Sequence, residues 1–147
     1  MIVENKIGNR ELFIIAGCSK LGSNIAFMLS KHKKYVVVID DDPSAFKKLT
    51  PDYSGYTVTG DASDIGTLER AGIENSCVLI AATGSDNINV MASQIARIVF
   101  DVPNVFVRLY SEDLDPVATL NGINAIYPYK LSIETIEYML DERGCLK

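Results

Sequence analysis

Residues Leu12 to Gly22 read LFIIAGCSKLG, and the rest of the chain can be placed around them. Leu12–Ala16 is a short, unbroken apolar run. Such a run suits a strand of a parallel sheet covered on both faces, where side chains pointing either way must be apolar. Gly17 ends the run, and beyond it Leu21, Ile25, Met28 and Leu29 recur at helical spacing, which predicts an amphipathic helix. Strand, glycine turn and helix in direct succession bring a helix N-terminus to the C-terminal edge of a sheet. Its unpaired N–H groups and the positive end of its dipole favour a phosphate there.

Gly17, Cys18, Ser19, Lys20, Leu21 and Gly22 occupy the positions of the glycine fingerprint found in dinucleotide-binding βαβ units. Gly17 would make the tight turn and Gly22 the close helix–strand contact. The middle glycine, which normally lets backbone approach a pyrophosphate, is Ser19 here, and its hydroxyl is able to donate to phosphate instead. The fingerprint also calls for an acid about 20 residues on, bonded to ribose hydroxyls. Asp40 meets that requirement at the end of a second apolar run, Tyr35–Ile39. Asp41 and Asp42 follow directly, and three acids repel a 2′-phosphate, which argues against NADP. The alternative for these acids is a polar turn with a helix cap before Pro43.

Three further strands are read at Tyr56–Thr59, Val78–Ala82 and Val105–Leu109, with a short sixth at Ala125-Ile126. Helices alternate with them. One opens at Pro43 with Phe46 and Leu49 inward. A second is capped by Asp64, carries Ile65, Leu68 and Ala71, and stops at Gly72. A third bears Ile88, Met91, Ala92, Ile95 and Val99, and a last one after Pro128 bears Ile133, Ile136 and Leu140, ending by Gly144. This rhythm predicts an α/β, Rossmann-like, doubly wound parallel sheet of about six strands with helices on both faces. Residues 1–11 read as a flexible N-terminal arm and 12–147 as a single domain with a C-terminal helix. The stripe of that last helix either contacts a second copy or packs on its own domain.

In this fold, ligands bind where the strand order reverses, between the first and fourth strands. The loop Ala82-Thr83-Gly84-Ser85-Asp86-Asn87 therefore faces the glycine loop, with Thr83 and Gly84 offering hydroxyl and amide groups and Ser85 or Asp86 capping the next helix. Gly60-Asp61-Ala62-Ser63 ends the third strand and would flank an adenine, although Asp61 can equally be a turn former. Arg108 stands in an apolar strand and needs a partner, either a terminal phosphate in the crevice or an ion pair. Cys18, inside the loop, reads as a small residue filling a tight turn or as a thiol activated for redox sensing by the helix end.

The chain has 147 residues, 48% of them hydrophobic, and a formal net charge of −5, so a folded globule is expected and nucleic acid is disfavoured. Lys31, His32, Lys33 and Lys34 form the one dense basic cluster and suit the C-terminal end of a helix dipole. An odd number of cysteines without metal or redox spacing fits a reducing compartment and no metal site. No basic leader precedes an apolar run, and no stretch reaches the ~18–20 apolar residues of a membrane span, so direct membrane insertion is not expected. The lone histidine, His32, lies away from the crevice, and no catalytic residue is assigned.

Taken together, FIIAGCSKLGSNIA, VVVIDDDP, GDASDIGTLERAGI, VLIAATGSDNIN and VFVRL resemble the TrkA-N family, the N-terminal domain of RCK or KTN proteins. The resemblance spans about residues 12–130. It implies a cytoplasmic, nucleotide-binding regulatory subunit of a potassium uptake system of Trk or Ktr type, peripheral to the inner face of the membrane. Its ligands would be NAD(H) or AMP, ADP or ATP. Its partners would be a membrane potassium transporter or channel subunit and further copies of itself, as a dimer or ring of dimers. The residues so implicated are Gly17, Ser19, Lys20, Leu21, Gly22, Asp40, Asp61, Ala62, Thr83 and Arg108; Cys18, Asp41 and Gly84 join them as cofactor-binding candidates from their places in the loops. Some members carry a glutamate after the proline matching Pro128, where it holds a cation between subunits; Tyr129 stands there instead. Ending at Lys147, the chain is expected to lack the RCK-C ligand-binding half. The other readings are a small NAD-dependent oxidoreductase or an assembly protein whose nucleotide is structural.

Overall fold

The computed structural model describes residues 10–147. Most of the expected N-terminal arm, residues 1–9, lies outside the described residues. At Arg10 the chain is already tied down, because its Nη1 donates to the carbonyls of Phe100 and Asp101, each at 3.0 Å.

Six strands, β1 (Leu12–Ala16), β2 (Tyr35–Asp40), β3 (Tyr56–Thr59), β4 (Ser76–Ala81), β5 (Asn104–Arg108) and β6 (Asn124–Ile126), form one sheet in the order β3-β2-β1-β4-β5-β6. Every pairing is parallel. Burial on both faces explains the unbroken apolar runs. Ile14, Ala16, Val37 and Ile39 enter one core cluster with Leu79 and Val107, while Ile15, Val36 and Val38 enter the other with Ala26 and Leu29. Each fully buried aliphatic side chain contributes about 1.5–3 kcal/mol of transfer free energy.

The helices are α1 (Lys20–Lys31), α2 (Ile65–Arg70), α3 (Asp86–Gln94), α4 (Asp115–Ala118) and α5 (Pro128–Glu142). Asp64 caps α2 by accepting from Thr67 N at 3.1 Å, and Gly72 stops it with φ +89°. Ser85 caps α3. Several inward faces differ from the sequence reading. On α1 the buried residues are Gly22, Ser23, Ala26 and Leu29, whereas Leu21 and Met28 are exposed. Gly22 is pressed against the glycine turn, which sets the buried line at i, i+4, i+7 through Ala26 and Leu29. On α3 Met91, and in the turn after it Val99, face solvent (52% and 57% exposed), while Asn89, Val90, Ala92 and Ser93 of α3 are buried. A π-turn at Ile95–Val99 shifts the register there, and the polar contacts of Asn89 draw that side of the helix inward. Ile65 is likewise exposed.

The segment opened by Pro43 is a 3-10 turn, Pro43–Lys48, rather than an α-helix, and Asp42 caps it. The larger surprise is α5. None of its residues is buried; Leu131, Ile133, Ile136, Met139 and Leu140 are all exposed. Among the described residues, packing of that stripe on its own domain, one of the two alternatives left open by the sequence, does not occur.

Candidate functional site

The turn after β1 is shaped by two close approaches. Gly17 has φ +104°, and a Cβ there would lie 2.7 Å from the backbone N and Cα of Thr83. A Cβ on Gly22 would lie 2.0 Å from the carbonyl oxygen of Gly17. Only glycine fits either position, so the loop is clamped between β2, through Gly17 N donating to Ile39 O at 2.7 Å, and the β4–α3 loop.

Ser19 is the N-cap of α1. Its Oγ accepts from Gly22 N at 3.1 Å and donates to Ala82 O at 2.8 Å. Its one proton is therefore committed to the end of β4, not available to a phosphate as the sequence allowed. The first-turn amides of Lys20 and Leu21 have no intrahelical acceptor.

Asp40 ends β2 and holds the loop. Its Oδ2 accepts from Cys18 N at 2.8 Å and its Oδ1 from Asp42 N at 2.9 Å. Each oxygen keeps a further lone pair for another donor. Asp42 and Asp61 both close short turns. Asp42 accepts from Ser44 N and Oγ (2.9 and 2.7 Å), and Asp61 from Ser63 N and Oγ (2.8 and 2.6 Å). These bonds hold both carboxyls below their ordinary value, so both are anions at neutral pH. The Cys18 thiol is buried, and burial, followed by the Asp40 carboxylate, pushes its pKa up. A protonated, buried thiol is the opposite of an activated one.

These elements enclose a cleft of about 400 Å³, within the usual range for small-molecule sites. It is lined by Gly17, Cys18 and Ser19; by Ile39 to Asp42 with Ala45 and Lys48; by Gly60, Asp61 and Ala62; and by Thr83, Gly84, Ser85 and Ile88. Of the residues singled out from the sequence, Gly17, Cys18, Ser19, Asp40, Asp41, Asp61, Ala62, Thr83 and Gly84 are thus brought together. Lys20, Leu21, Gly22 and Arg108 are not among the lining residues. Lys48 and Ala45 were missed. In a 3-10 turn, residues three apart share a face, so both look into the cleft, opposite the Phe46 and Leu49 that the sequence reading turned inward.

Arg108 is 8% exposed and is in no ion pair among the described residues. Its Nη2 donates to Thr83 O at 2.6 Å, its guanidinium lies 4.9 Å from the Tyr110 ring centroid, and its Nε is buried without a partner. No acid stands where an ion pair would need one; the carbonyl of the β4–α3 loop takes that place. Thr83 is likewise occupied, because its N and Oγ1 both donate to Asn89 Oδ1 (2.9 and 2.6 Å). Beside it, Gly84 faces open space.

The TrkA-N domain model matches residues 13–128. The Trk system potassium uptake protein TrkA of Streptomyces coelicolor is 40% identical over 97 residues, covering 66% of this chain and 44% of that protein. The chain thus spans under half the length of that relative. Among solved structures, the TrkA-N domain of the inner membrane protein ybaL from Escherichia coli superposes with a TM-score of 0.80 at 17% identity, covering 91% of this chain and 99% of that one. The GsuK channel bound to NAD gives 0.76 at 20% identity over 95% of this chain and 25% of that one. GsuK bound to ADP gives 0.73, also at 20%, over 93% and 35%. At these identities the superpositions speak for the fold.

Proposed function

The chain belongs to the TrkA-N domain family, and on that premise we propose that it is a nucleotide-sensing regulatory domain of a potassium uptake system. It would act on a membrane transporter or channel subunit through the shape of a homo-oligomer. The observation that carries this reading is the cleft at the C-terminal edge of the sheet. There a glycine turn that admits no side chain meets a helix N-terminus, and a carboxylate stands at the tip of the neighbouring strand.

The first-turn amides of Lys20 and Leu21, with the dipole of α1, hold the phosphates. Lys20 and Leu21 are not among the residues lining the cleft, so their amides would act through the field of the helix end, beyond the cleft wall. Asp40 accepts the ribose hydroxyls on its remaining lone pairs. Asp61 and Ala62 border the base, and the Gly84 amide faces the open side. Gly22 and Arg108 serve from behind, one by close packing and the other by holding the Thr83 carbonyl. The nucleotides named with GsuK, NAD and ADP, support NAD(H) or AMP, ADP or ATP as the ligand class. Asp40, Asp41, Asp42 and Asp61 surround the sugar with negative charge and disfavour a 2′-phosphate. Lys48 is the one basic side chain among the lining residues.

The bare apolar stripe of α5 supports a second copy of this chain as its cover. Among the described residues no helix is long and apolar enough to cross a membrane. A place at the inner face of the membrane, held there by the transport partner, follows from the proposed role.

Titration with ADP, ATP and NADH tests the reading. At a hundred times its Kd a ligand adds about 2.7 kcal/mol of stability. A rise in Tm with one or more of them supports it. Unchanged melting with all three contradicts it, and steady oxidation of NADH by simple carbonyl compounds would favour an oxidoreductase.

A further inference from the structure

We infer that Asp86 is the positioning residue through which occupancy of the cleft sets the orientation of α5; the inference rests on the nucleotide reading of the cleft. Asp86 opens α3, directly after Gly84 and Ser85 of the cleft wall. Its carboxylate does not face the cleft. It reaches across to the segment that follows β5, where it accepts from Tyr110 N at 3.0 Å and from Ser111 N at 3.0 Å.

Two backbone amides on one carboxylate fix that segment to the cleft loop. Ser111 in turn caps the 3-10 turn Glu112–Leu114. Glu112 then grips the first turn of α5, accepting from Tyr129 Oη at 2.5 Å and pairing with Lys130 Nζ at 2.5 Å. One residue before α5, Tyr127 Oη donates to Asp115.

This grip matters because, among the described residues, α5 is held to its own domain only at its base. None of its residues is buried, and its ring contacts, Tyr129 on Tyr127 and Lys130 over Tyr127, lie at the same base. Its angle is set by polar contacts at its base, and those contacts stand on a segment that Asp86 holds. A ligand that orders the Gly84–Ser85 backbone therefore biases Asp86, the Tyr110–Ser111 segment and the base of α5 together. Coupling of this kind needs an element with more than one arrangement, and a helix that its own domain holds only through a polar hinge is such an element, one that would carry a second copy with it.

The test is amide hydrogen exchange, read residue by residue by NMR, on the full chain with and without saturating ADP. In the wild type, ADP is expected to slow exchange in the glycine loop, at Tyr110 and Ser111, and in the first turns of α5, by about fivefold or more at α5. In Asp86→Ala the glycine loop is still protected, but the α5 response is lost. Glu112→Ala guards against a misfolded first variant. It keeps the Asp86 bridge, so Tyr110 and Ser111 still respond while α5 does not. Wild-type protection of the glycine loop without any response at α5 overturns the inference, as does an undiminished α5 response in Asp86→Ala. Absence of protection in the wild-type glycine loop with ADP, ATP and NADH alike overturns the reading of the cleft itself, and the inference falls with it.

Discussion

Replacing Ser19 separates two roles that the fingerprint position can have. In the structure its hydroxyl caps α1 and satisfies the carbonyl of Ala82, which is fully buried. Ser19→Ala removes the cap, at about 1 kcal/mol. It also strips the Ala82 carbonyl of its donor, at about 1–3 kcal/mol for a buried unpaired group. The combined loss of about 2–4 kcal/mol lowers Tm by roughly 5–15 °C for a domain of this size. Ser19→Gly is milder by up to about 1 kcal/mol, because glycine is itself an acceptable N-cap. Since the hydroxyl proton is spent on Ala82, ADP affinity in the folded Ser19→Gly protein should stay within a few-fold of wild type. Thermal melts followed by circular dichroism, with calorimetric titration of ADP, read both quantities. A Ser19→Gly variant that melts with the wild type but binds ADP far more weakly would refute the bridging role and return the hydroxyl to the phosphate.

Gly17→Ala places a Cβ against the backbone of Thr83 at a positive φ. It is expected to yield a protein that neither binds nucleotide nor reaches the wild-type Tm, checked by the same titration and melts. Ending the chain after Tyr127 removes α5, which buries nothing. Tm should shift by no more than a few degrees while sedimentation changes from an oligomer to a monomer, and a truncated chain that still self-associates would place the interface elsewhere. Asp42 and Asp61 are held below their ordinary value of 3.8 by bonds from Ser44 and Ser63. The stability they add is present above that value and lost as pH falls below it. Melting in an acid series should therefore steepen its decline below about pH 4, and Asp61→Asn should flatten that step.

The sheet was legible because its strands are buried on both faces. LFIIA, YVVVI and VLIAA can be little else when each is followed by glycine or a polar turn, and a helix comes after. Asp40 was legible because the fingerprint prescribes both its type and its distance. What escaped was tertiary in origin. Which stripe of α1 turns inward is decided by the collision that Gly22 avoids, not by the largest apolar residues. The register of α3 depends on a π-turn and on Asn89 reaching Thr83 and Arg108. Lys48 lines the cleft from the end of the turn Pro43–Lys48, a placement that a solvated lysine in a polar stretch does not announce. The bare face of α5 was visible as a stripe, but periodicity cannot say whether a stripe is covered by its own domain.

The most direct test of the ribose grip by Asp40 compares ADP with 2′,3′-dideoxy-ADP, by calorimetry, in the wild type and in Asp40→Asn. Hydrogen bonds to a charged acceptor are worth about 1.5–3 kcal/mol each, so the wild type should prefer ADP by at least about tenfold, and Asp40→Asn should lose most of that preference. Equal affinity of the wild type for the two ligands would contradict the assignment.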